Sequence, residues 1–381
     1  TIFGGDYRFK TYLEHDGVVR NDTLFGNIYV RGSGDPSLGS DRFKGYPSSS
    51  GLLNKWVQVI ADAGIRYVKG EIVGDASFFD KQSVADSWIY GDLGNYYGAG
   101  VQGLNFNENA YKVQFKPGVE TGDPATMIGT EPLMSYLKFQ NQVLTGEKGT
   151  GDQTMLYSNP ISTTVLMTGT VPQGFNSYSV KGAIPDPSFF VGNALREALQ
   201  AANVRVVPMD SVRQNVGLSL LPRKLLDEYS SPALRDLCQQ TNVWSINLYA
   251  DSFLKHIGKR LVGDSKYGSS AKSMTDFWVA RLADMRGFYI KDGSGLSPSG
   301  SVTAQNLTEV LRLMKREAAF DDFYKSIAVL GENGTVRNIG KSTKGKVRAK
   351  SGSIEGTRAF SGYVTTKSGE LLCFAIIAHK Y

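Results

Sequence analysis

Residues on which metal and redox chemistry depends are scarce in this 381-residue chain. It has two cysteines, Cys238 and Cys373, too few for a disulfide framework, and Cys373 lies in an apolar stretch typical of a buried thiol. Its three histidines, His15, His256 and His379, are isolated, and no His-Glu-x-x-His or Cys-x-x-Cys motif occurs. The sequence therefore predicts neither a metal centre nor a cofactor.

Other absences exclude further protein classes. No Gly-x-Ser-x-Gly motif supports an α/β-hydrolase, and no Gly-x-x-x-x-Gly-Lys loop supports nucleotide hydrolysis. No apolar run approaches the ~20 residues of a membrane-spanning helix, so we predict no transmembrane segment. The start of the sequence lacks a signal-peptide pattern, which indicates a mature or a cytosolic chain. The net charge of +6 comes from dispersed Lys and Arg residues, so we predict no nucleic-acid partner.

The composition is that of a globular protein with two or three domains, because 41% of the residues are hydrophobic and 20% are charged. Apolar spacing predicts helices at 51–64, 189–202 and about 248–261. Near the C-terminus, alternating residues predict three consecutive antiparallel strands at 346–354, 359–365 and 371–378.

The first of these strands contains Lys350-Ser351-Gly352. An ammonium and a hydroxyl at the end of a strand can hold a substrate carboxylate, and a residue without a side chain lets a substrate backbone lie against the strand edge. Taken alone, the tripeptide favours the alternative interpretation, a solvated strand end.

Two more motifs precede it. Ser245-Ile246-Asn247 lies before a helical run, and Asp292-Gly-Ser-Gly-Leu-Ser297 follows. The order Ser-x-Asn, Asp-Gly-Ser-Gly-Leu-Ser and Lys-[Ser/Thr]-Gly resembles that of the penicillin-recognising serine transferases. Within these, the chain resembles the class C low-molecular-mass penicillin-binding proteins, which are D-alanyl-D-alanine carboxypeptidases and endopeptidases of the DacB type. Three further stretches resemble landmarks of that family in its own order: 4–11, 31–38 and 180–187.

The resemblance covers nearly the whole chain and implies an α+β multidomain fold. A penicillin-binding transpeptidase/β-lactamase-like domain, an antiparallel sheet flanked by helices, would comprise residues 1–10 and 226–381. A second domain, 11–37 and 126–225, would be inserted in the first. A third, 38–125, would be inserted in the second. For the Asp292 motif we favour a structural interpretation, a tight turn beside the site.

The chemistry implied is acyl transfer by a serine whose base is a lysine of lowered pKa. The resemblance implies a Ser-x-x-Lys motif shortly before Asp6-Tyr-Arg-Phe9, and we therefore expect the full-length protein to carry it upstream of Thr1. Three Ser-x-x-Lys matches lie within the chain at positions that the family does not use: Ser135/Lys138, Ser252/Lys255 and Ser269/Lys272. We interpret Ser252/Lys255, on the helix that follows Ser245, as part of a solvated helix face.

The resemblance also implies roles for the residues that are present. Ser245 would hydrogen-bond the catalytic lysine and relay a proton to the leaving amine. Asn247 would orient this network and hold the substrate amide. Lys350 would keep the cleft positive and attract the terminal carboxylate. Ser351 would bind that carboxylate next to the open space at Gly352, and the Ser353 N–H would be one oxyanion donor.

The loop from Trp88 to Tyr97 surrounds one carboxylate, Asp92, with aromatic residues. Asp92 and Tyr97 could hold the free amine of a diaminopimelate side chain in the substrate. The structural alternative is a surface loop whose aromatics pack between domains.

The function expected is that of a serine D-Ala-D-Ala carboxypeptidase/DD-endopeptidase. It would hydrolyse peptidoglycan stem peptides and cross-links through an acyl-serine, in the periplasm or another extracytoplasmic compartment. β-Lactam antibiotics would be acylating inhibitors. One alternative is a catalytically incomplete relative that binds cell-wall peptides. Another is a serine β-lactamase-like hydrolase, against which the inserted domains argue.

Overall fold

A computed structural model of the chain describes residues 1–207, 221–343 and 345–379. The chain forms two compact units. The smaller unit comprises 1–8, 85–87 and 232–381, and the larger unit comprises 9–84 and 88–231. Helices and separate sheets occur in one chain, as expected of the α+β class. The finer predicted division of the inserted residues into two nested domains stays a prediction.

The larger unit is mostly β-structure. Its described strands are β1 (Lys10–His15), β2 (Val18–Arg20), β3 (Thr23–Phe25), β4 (Ile28–Gly32), β5 (Tyr67–Val68), β6 (Ile72–Asp75), β7 (Ala110–Lys116), β8 (Thr126–Glu131), β9 (Lys138–Asn141), β10 (Leu144–Gly146), β11 (Gln153–Tyr157), β12 (Thr164–Pro172), β13 (Tyr178–Ala183), β14 (Arg205–Val206) and β15 (Lys224–Ser230). They form sheets with the strand orders β15-β1-β4-β6, β10-β12-β11 with β9 also on β12, β13-β7-β8, and β14-β5-β3-β2.

The helices of the larger unit are α1 (Ser49–Asp62), α2 (Tyr90–Leu93) and α3 (Pro187–Ala201). The first and the last begin two residues earlier than their apolar spacing predicts, because polar caps set their starts. Ser48 Oγ accepts the Gly51 N–H before α1, and Asp186 accepts the Phe189 N–H before α3. Both helices contribute to one apolar core with the sheets, whose fully buried side chains include Leu52, Trp56, Ile60, Leu195 and Leu199.

The smaller unit combines helices with one sheet. Its helices are α4 (Leu234–Trp244), α5 (Asn247–Val262), α6 (Tyr267–Val279), α7 (Ala304–Met314) and α8 (Phe320–Ser326), and its strands are β16 (Val347–Ile354), β17 (Thr357–Thr365) and β18 (Leu371–His379). The strands pair antiparallel in the order β16-β17-β18, so the predicted C-terminal meander is confirmed. Tyr363 of β17, 1% exposed, donates its hydroxyl to the Leu311 carbonyl at 2.7 Å and fastens α7 to the sheet.

The two ends of the larger unit lie beside each other. The Phe9 N–H donates to Ser231 Oγ at 2.9 Å, and the Ser231 N–H donates to the Phe9 carbonyl at 3.0 Å. Within the smaller unit, the Leu234 N–H donates to the Tyr7 carbonyl at 2.8 Å. The chain therefore leaves and re-enters the smaller unit at neighbouring points.

Two interpretations from the sequence are wrong in detail. The Ser252/Lys255 pair is not a solvated helix face, because both side chains are 0% exposed. Lys255 Nζ donates to the Ser265 carbonyl at 3.0 Å and lies 4.6 Å from the Tyr267 ring centroid, which compensates its burial. Cys373 is half-buried rather than buried, and it packs at the margin of the cluster of Leu311, Ile327 and Tyr363.

A buried carboxyl joins α5 to the Asp292–Ser297 turn. Asp251 Oδ1 accepts the Gly293 N–H at 2.7 Å, and Gly293 lies so close to α5 that a Cβ there would be 2.3 Å from the Ala250 carbonyl oxygen. Asp292 in turn accepts the N–H groups of Gly295 and Ser297, each at 2.7 Å. The motif is thus a tight turn held against the helix that begins at Asn247.

Burial, reinforced by the neighbouring Asp292 charge, raises the pKa of Asp251 to about 8. The folded protein therefore keeps a proton that the unfolded chain loses near pH 4, and this contribution to stability falls as the pH rises from about 4 to about 8. Asp251→Asn keeps an oxygen acceptor but cannot ionise. We expect its melting temperature, relative to that of the parent, to rise steadily between pH 5 and pH 8.

Thermal unfolding followed by circular dichroism across this range checks the prediction. The surface substitution Asp41→Asn removes the same charge without the burial and serves as the control. Parallel pH curves for Asp251→Asn and the parent protein would contradict the raised pKa.

Candidate active site

The structure brings Ser245 and Lys350 together. Lys350 Nζ donates to Ser245 Oγ at 2.7 Å, although 105 positions separate the two residues in the chain. The same ammonium donates to the Ser351 carbonyl at 2.5 Å. An ammonium has three donors, so one direction remains for a further acceptor. These two residues define the candidate active site.

The junction of two helices positions the hydroxyl of this pair. Ser245 follows the last residue of α4 with left-handed backbone angles, φ 58° and ψ 53°, which a residue with a Cβ rarely adopts. Its N–H still donates to the Thr241 carbonyl, and α5 begins two residues later at Asn247. The sharp turn leaves Ser245 exposed and Asn247 half-buried at the start of the next helix. Strain of this kind concentrates at functional sites.

An apolar cluster packs the helix junction against the sheet. Val243 of α4 packs with Ala328 and Val336, and the half-buried Leu330 and Phe360 of β17 join them. Phe360 is the β17 partner of Ser351, and Val243 is two residues before Ser245. Burial of these side chains therefore fixes the distance between the hydroxyl and the ammonium, which neither polar group could fix alone.

The lysine belongs to β16, whose outer edge is covered only in part. The Leu330 N–H donates to the Val347 carbonyl at 3.0 Å, and the Ala349 N–H donates to the Ala328 carbonyl at 2.9 Å. Backbone groups alternate sides along a strand, so those of Val347, Ala349, Ser351 and Ser353 point to this edge. Among the described residues, none pairs with the edge after Ala349 through a backbone hydrogen bond.

The free part of the edge contains the remaining predicted residues. Ser353 presents its N–H there, where the resemblance implies an oxyanion donor. Gly352 is exposed, and a Cβ on it would meet only the Ala359 Cβ, at 3.9 Å. The fold itself does not need glycine at this position, so the open space is available to a ligand. The arrangement can accept an extended peptide as an additional strand and place an anion near Lys350.

The ammonium at the centre has an altered proton affinity. Lys350 is half-buried, and loss of hydration lowers its pKa to about 8. It remains mostly protonated at neutral pH, but its charge begins to titrate within the range in which enzymes operate. Electrostatic attraction of an anion by this group therefore depends on pH.

Asp92 and Tyr97 lie in the larger unit and contact each other. A hydrogen bond joins the Tyr97 hydroxyl to the Asp92 carboxylate. Burial raises the pKa of Asp92 in spite of this bond, and burial together with the Asp92 charge raises the pKa of Tyr97 to about 12. Tyr90, exposed on the same loop, stacks on Tyr157 with ring centroids 5.5 Å apart. Asp92 is thus a carboxylate in an aromatic-rich loop, as the sequence of the loop predicts.

Two residues near the site were not found from the sequence. Thr335 Oγ1 lies 2.8 Å from Ser351 Oγ, and Asp251 anchors the Asp292 turn to α5. Thr335 has no periodic pattern around it, and only the preceding Gly334 hints at a constrained turn. Asp251 stands four residues after Asn247, a spacing that places both on one face of the helix. This spacing is the feature of the sequence that could have identified Asp251.

Known proteins resemble this chain over nearly all of its length. The sequence profile of the family described as "D-Ala-D-Ala carboxypeptidase 3 (S13) family" matches residues 1–380. A D-alanyl-D-alanine carboxypeptidase of Actinomadura sp. (strain R39) is 26% identical, over 99% of this chain and 70% of that protein. The D-alanyl-D-alanine carboxypeptidase DacB of Haemophilus influenzae is 24% identical, over 98% of this chain and 76% of that protein.

Solved structures share the fold. The crystal structure of penicillin-binding protein 4 (dacB) from H. influenzae matches with a TM-score of 0.81 at 19% identity, over 100% of this chain and 82% of that one. The same protein complexed with a β-lactam matches with a TM-score of 0.73 at 17% identity, over 100% and 81% of the two chains.

In the ranges that the structure describes, no helix combines the length and apolar character needed to span a membrane. The family match extends over nearly all residues, and the fold agrees with it. The chain therefore belongs to the D-Ala-D-Ala carboxypeptidase 3 (S13) family, and it is a serine-type carboxypeptidase, a hydrolase that acts on cell-wall peptidoglycan.

Proposed function

We propose that the free edge of β16 and the Ser245–Lys350 pair form the groove in which peptidoglycan stem peptides and cross-links are hydrolysed through an acyl-serine. The observation that carries this proposal is the 2.7 Å contact between Lys350 Nζ and Ser245 Oγ, beside a strand edge that has no backbone partner after Ala349 among the described residues. The nucleophile and its base would be the Ser-x-x-Lys pair expected before Thr1. β-Lactams would acylate the same serine, and the protein would act in the periplasm or another extracytoplasmic compartment.

In the proposed acylation, the nucleophilic serine attacks the carbonyl of the penultimate D-Ala while the motif's lysine takes its proton. The developing oxyanion receives a hydrogen bond from the Ser353 N–H, which points to the free edge. The lysine returns this proton through Ser245, which donates its own hydroxyl proton to the nitrogen of the leaving D-Ala and receives the lysine's in exchange, so that an amine leaves and an ester remains. Water hydrolyses this ester and regenerates the serine.

Binding of the substrate is assigned to the remaining groups. The peptide backbone lies along β16 past Gly352, and Asn247 holds the substrate amide. Lys350 supplies positive charge for the terminal carboxylate, and the Ser351 hydroxyl donates to it. Lys350 also disfavours protonation of the nearby catalytic lysine, because like charges repel.

The whole proposal is tested by treating the full-length protein with a fluorescent penicillin. We expect one covalent adduct, lost when the serine of the expected Ser-x-x-Lys motif is replaced by alanine. We also expect Ser245→Ala to lower kcat for a D-Ala-D-Ala peptide by about 10²–10⁴-fold with little change in KM, because the leaving amine loses its proton donor.

A matching ester substrate with D-lactate as the leaving group separates this role from a general loss of structure, since an alkoxide needs less proton transfer than an amine. Ser245→Ala should cleave the ester with a smaller defect than the peptide, and Ser368→Ala in a distant turn should alter neither rate. Absence of any adduct together with retained peptide binding would instead support a binding module for wall peptides.

The pKa of Lys350 gives a second prediction. An ammonium with a pKa of about 8 is charged below that pH and neutral above it. Affinity for an acetylated D-Ala-D-Ala peptide with a free carboxylate should therefore fall as the pH rises through 8, by up to about tenfold at one unit above the pKa. Affinity for the same peptide with a C-terminal amide should stay flat.

NMR titration of both peptides between pH 6 and pH 9.5 measures this difference. Lys350→Arg keeps its charge over the whole range, so its weaker binding should lack the decline. A carboxylate peptide whose affinity is independent of pH would remove the electrostatic role from Lys350.

We further propose that Asp92 and Tyr97 hold the free amine of a diaminopimelate side chain. Asp92→Asn should weaken binding of an amine-bearing stem peptide by about tenfold, the size of one charge-assisted hydrogen bond, and leave its acetylated form unchanged. Isothermal titration with the two peptides tests this, and Tyr96→Phe on the exposed neighbouring ring serves as the control. Equal effects on both peptides would assign the loop a packing role.

A further inference from the structure

Two hydroxyls meet at the free edge of the candidate site. Thr335 Oγ1 and Ser351 Oγ are 2.8 Å apart, Thr335 is exposed and Ser351 is half-buried. Either oxygen can be the donor. A hydrogen bond between two solvated hydroxyls adds little to stability, because water serves each of them equally well. The stability of the fold therefore does not depend on this hydrogen bond.

The backbone nevertheless holds Thr335 firmly. The preceding Gly334 has φ +60°, and a Cβ there would lie 2.1 Å from the Val243 carbonyl oxygen. The following Val336 is 0% exposed and packs against Val243 and Ala328. An exposed hydroxyl thus stands between two anchored neighbours. Both anchors rest on Val243, so the packing that positions Ser245 also positions Thr335.

The donors of Lys350, the residue before Ser351, are largely in use. Lys350 directs two of its three donors to Ser245 Oγ and to the Ser351 carbonyl. Ser351 has one hydroxyl proton, whereas a carboxylate has two oxygens with about four acceptor positions. A second hydroxyl at 2.8 Å, able to rotate its proton towards the ligand, supplies a donor for the other carboxylate oxygen. A neutral C-terminal amide would gain less from it, since hydrogen bonds to charged groups are the stronger ones.

We infer that Thr335 is a substrate-binding residue that selects a free C-terminal carboxylate, acting together with Ser351. This inference rests on the proposed binding of the carboxylate at Ser351. The position of Thr335 outside β16 means that carboxylate recognition draws on two separate segments, the 334–336 turn and the strand.

The experiment compares Thr335→Val, which has nearly the same shape without the hydroxyl, with Thr335→Ser, which keeps it. NMR titration of the full-length protein measures the affinity of an acetylated D-Ala-D-Ala peptide and of its C-terminal amide. We expect Thr335→Val to weaken binding of the carboxylate peptide by about 10- to 100-fold and that of the amide by less than about threefold. Thr335→Ser should retain most of the preference.

An equal loss for both peptides, or no loss for either, would overturn the inference. Hydrolysis of the same peptides and labelling by penicillin are measured in parallel. A parent protein that binds with the carboxylate preference but neither hydrolyses nor reacts would refute the proposed catalysis and leave the role of Thr335 standing. A parent protein without any preference for the carboxylate would refute the assignment of Ser351 and of Thr335 together.

Discussion

The short contact between an ammonium on a strand and a hydroxyl at a helix junction depends on an apolar cluster beneath it. Val243, Ala328 and Val336 are buried together, and they come from a helix, from the segment beside β16 and from a tight turn. A hydrogen bond between partly solvated groups contributes only about 1 kcal/mol and cannot by itself position two distant segments. The buried cluster therefore positions the two segments, and the hydrogen bond forms between side chains that are already close together.

Several features of the site do not contribute to the stability of the fold. Ser245 has a left-handed backbone conformation, Lys350 loses part of its hydration, and the edge of β16 after Ala349 has no backbone partner among the described residues. Each feature is unfavourable or neutral for stability, but each is useful for holding a charged, extended ligand. Their coincidence at one place distinguishes this edge from the opposite edge of the same sheet, formed by β18.

Much of the local structure can be predicted from the sequence, because the spacing of apolar residues and the side chains that cap helices both depend on residues close together in the chain. The C-terminal strands and α1, α3 and α5 are found within about two residues of their predicted bounds. The motif order identifies the family and predicts that Ser245 and Lys350 act at one site. In contrast, burial of Lys255 was missed because its compensation by the Ser265 carbonyl and the Tyr267 ring is a tertiary contact. Thr335 was missed for the same reason, since its neighbour Ser351 belongs to a different segment.

The adjacency of Phe9 and Ser231 has a consequence for how this chain can vary. Entropy lost on closing a long excursion rises only slowly with its length, and here the backbone bonds at its base already hold both ends together. The residues that flank this excursion in the chain, Tyr7 and Leu234, are therefore held close together by backbone contact whatever its length. Insertions and deletions within the excursion can therefore change its length at little entropic cost to the closure of the chain at this point.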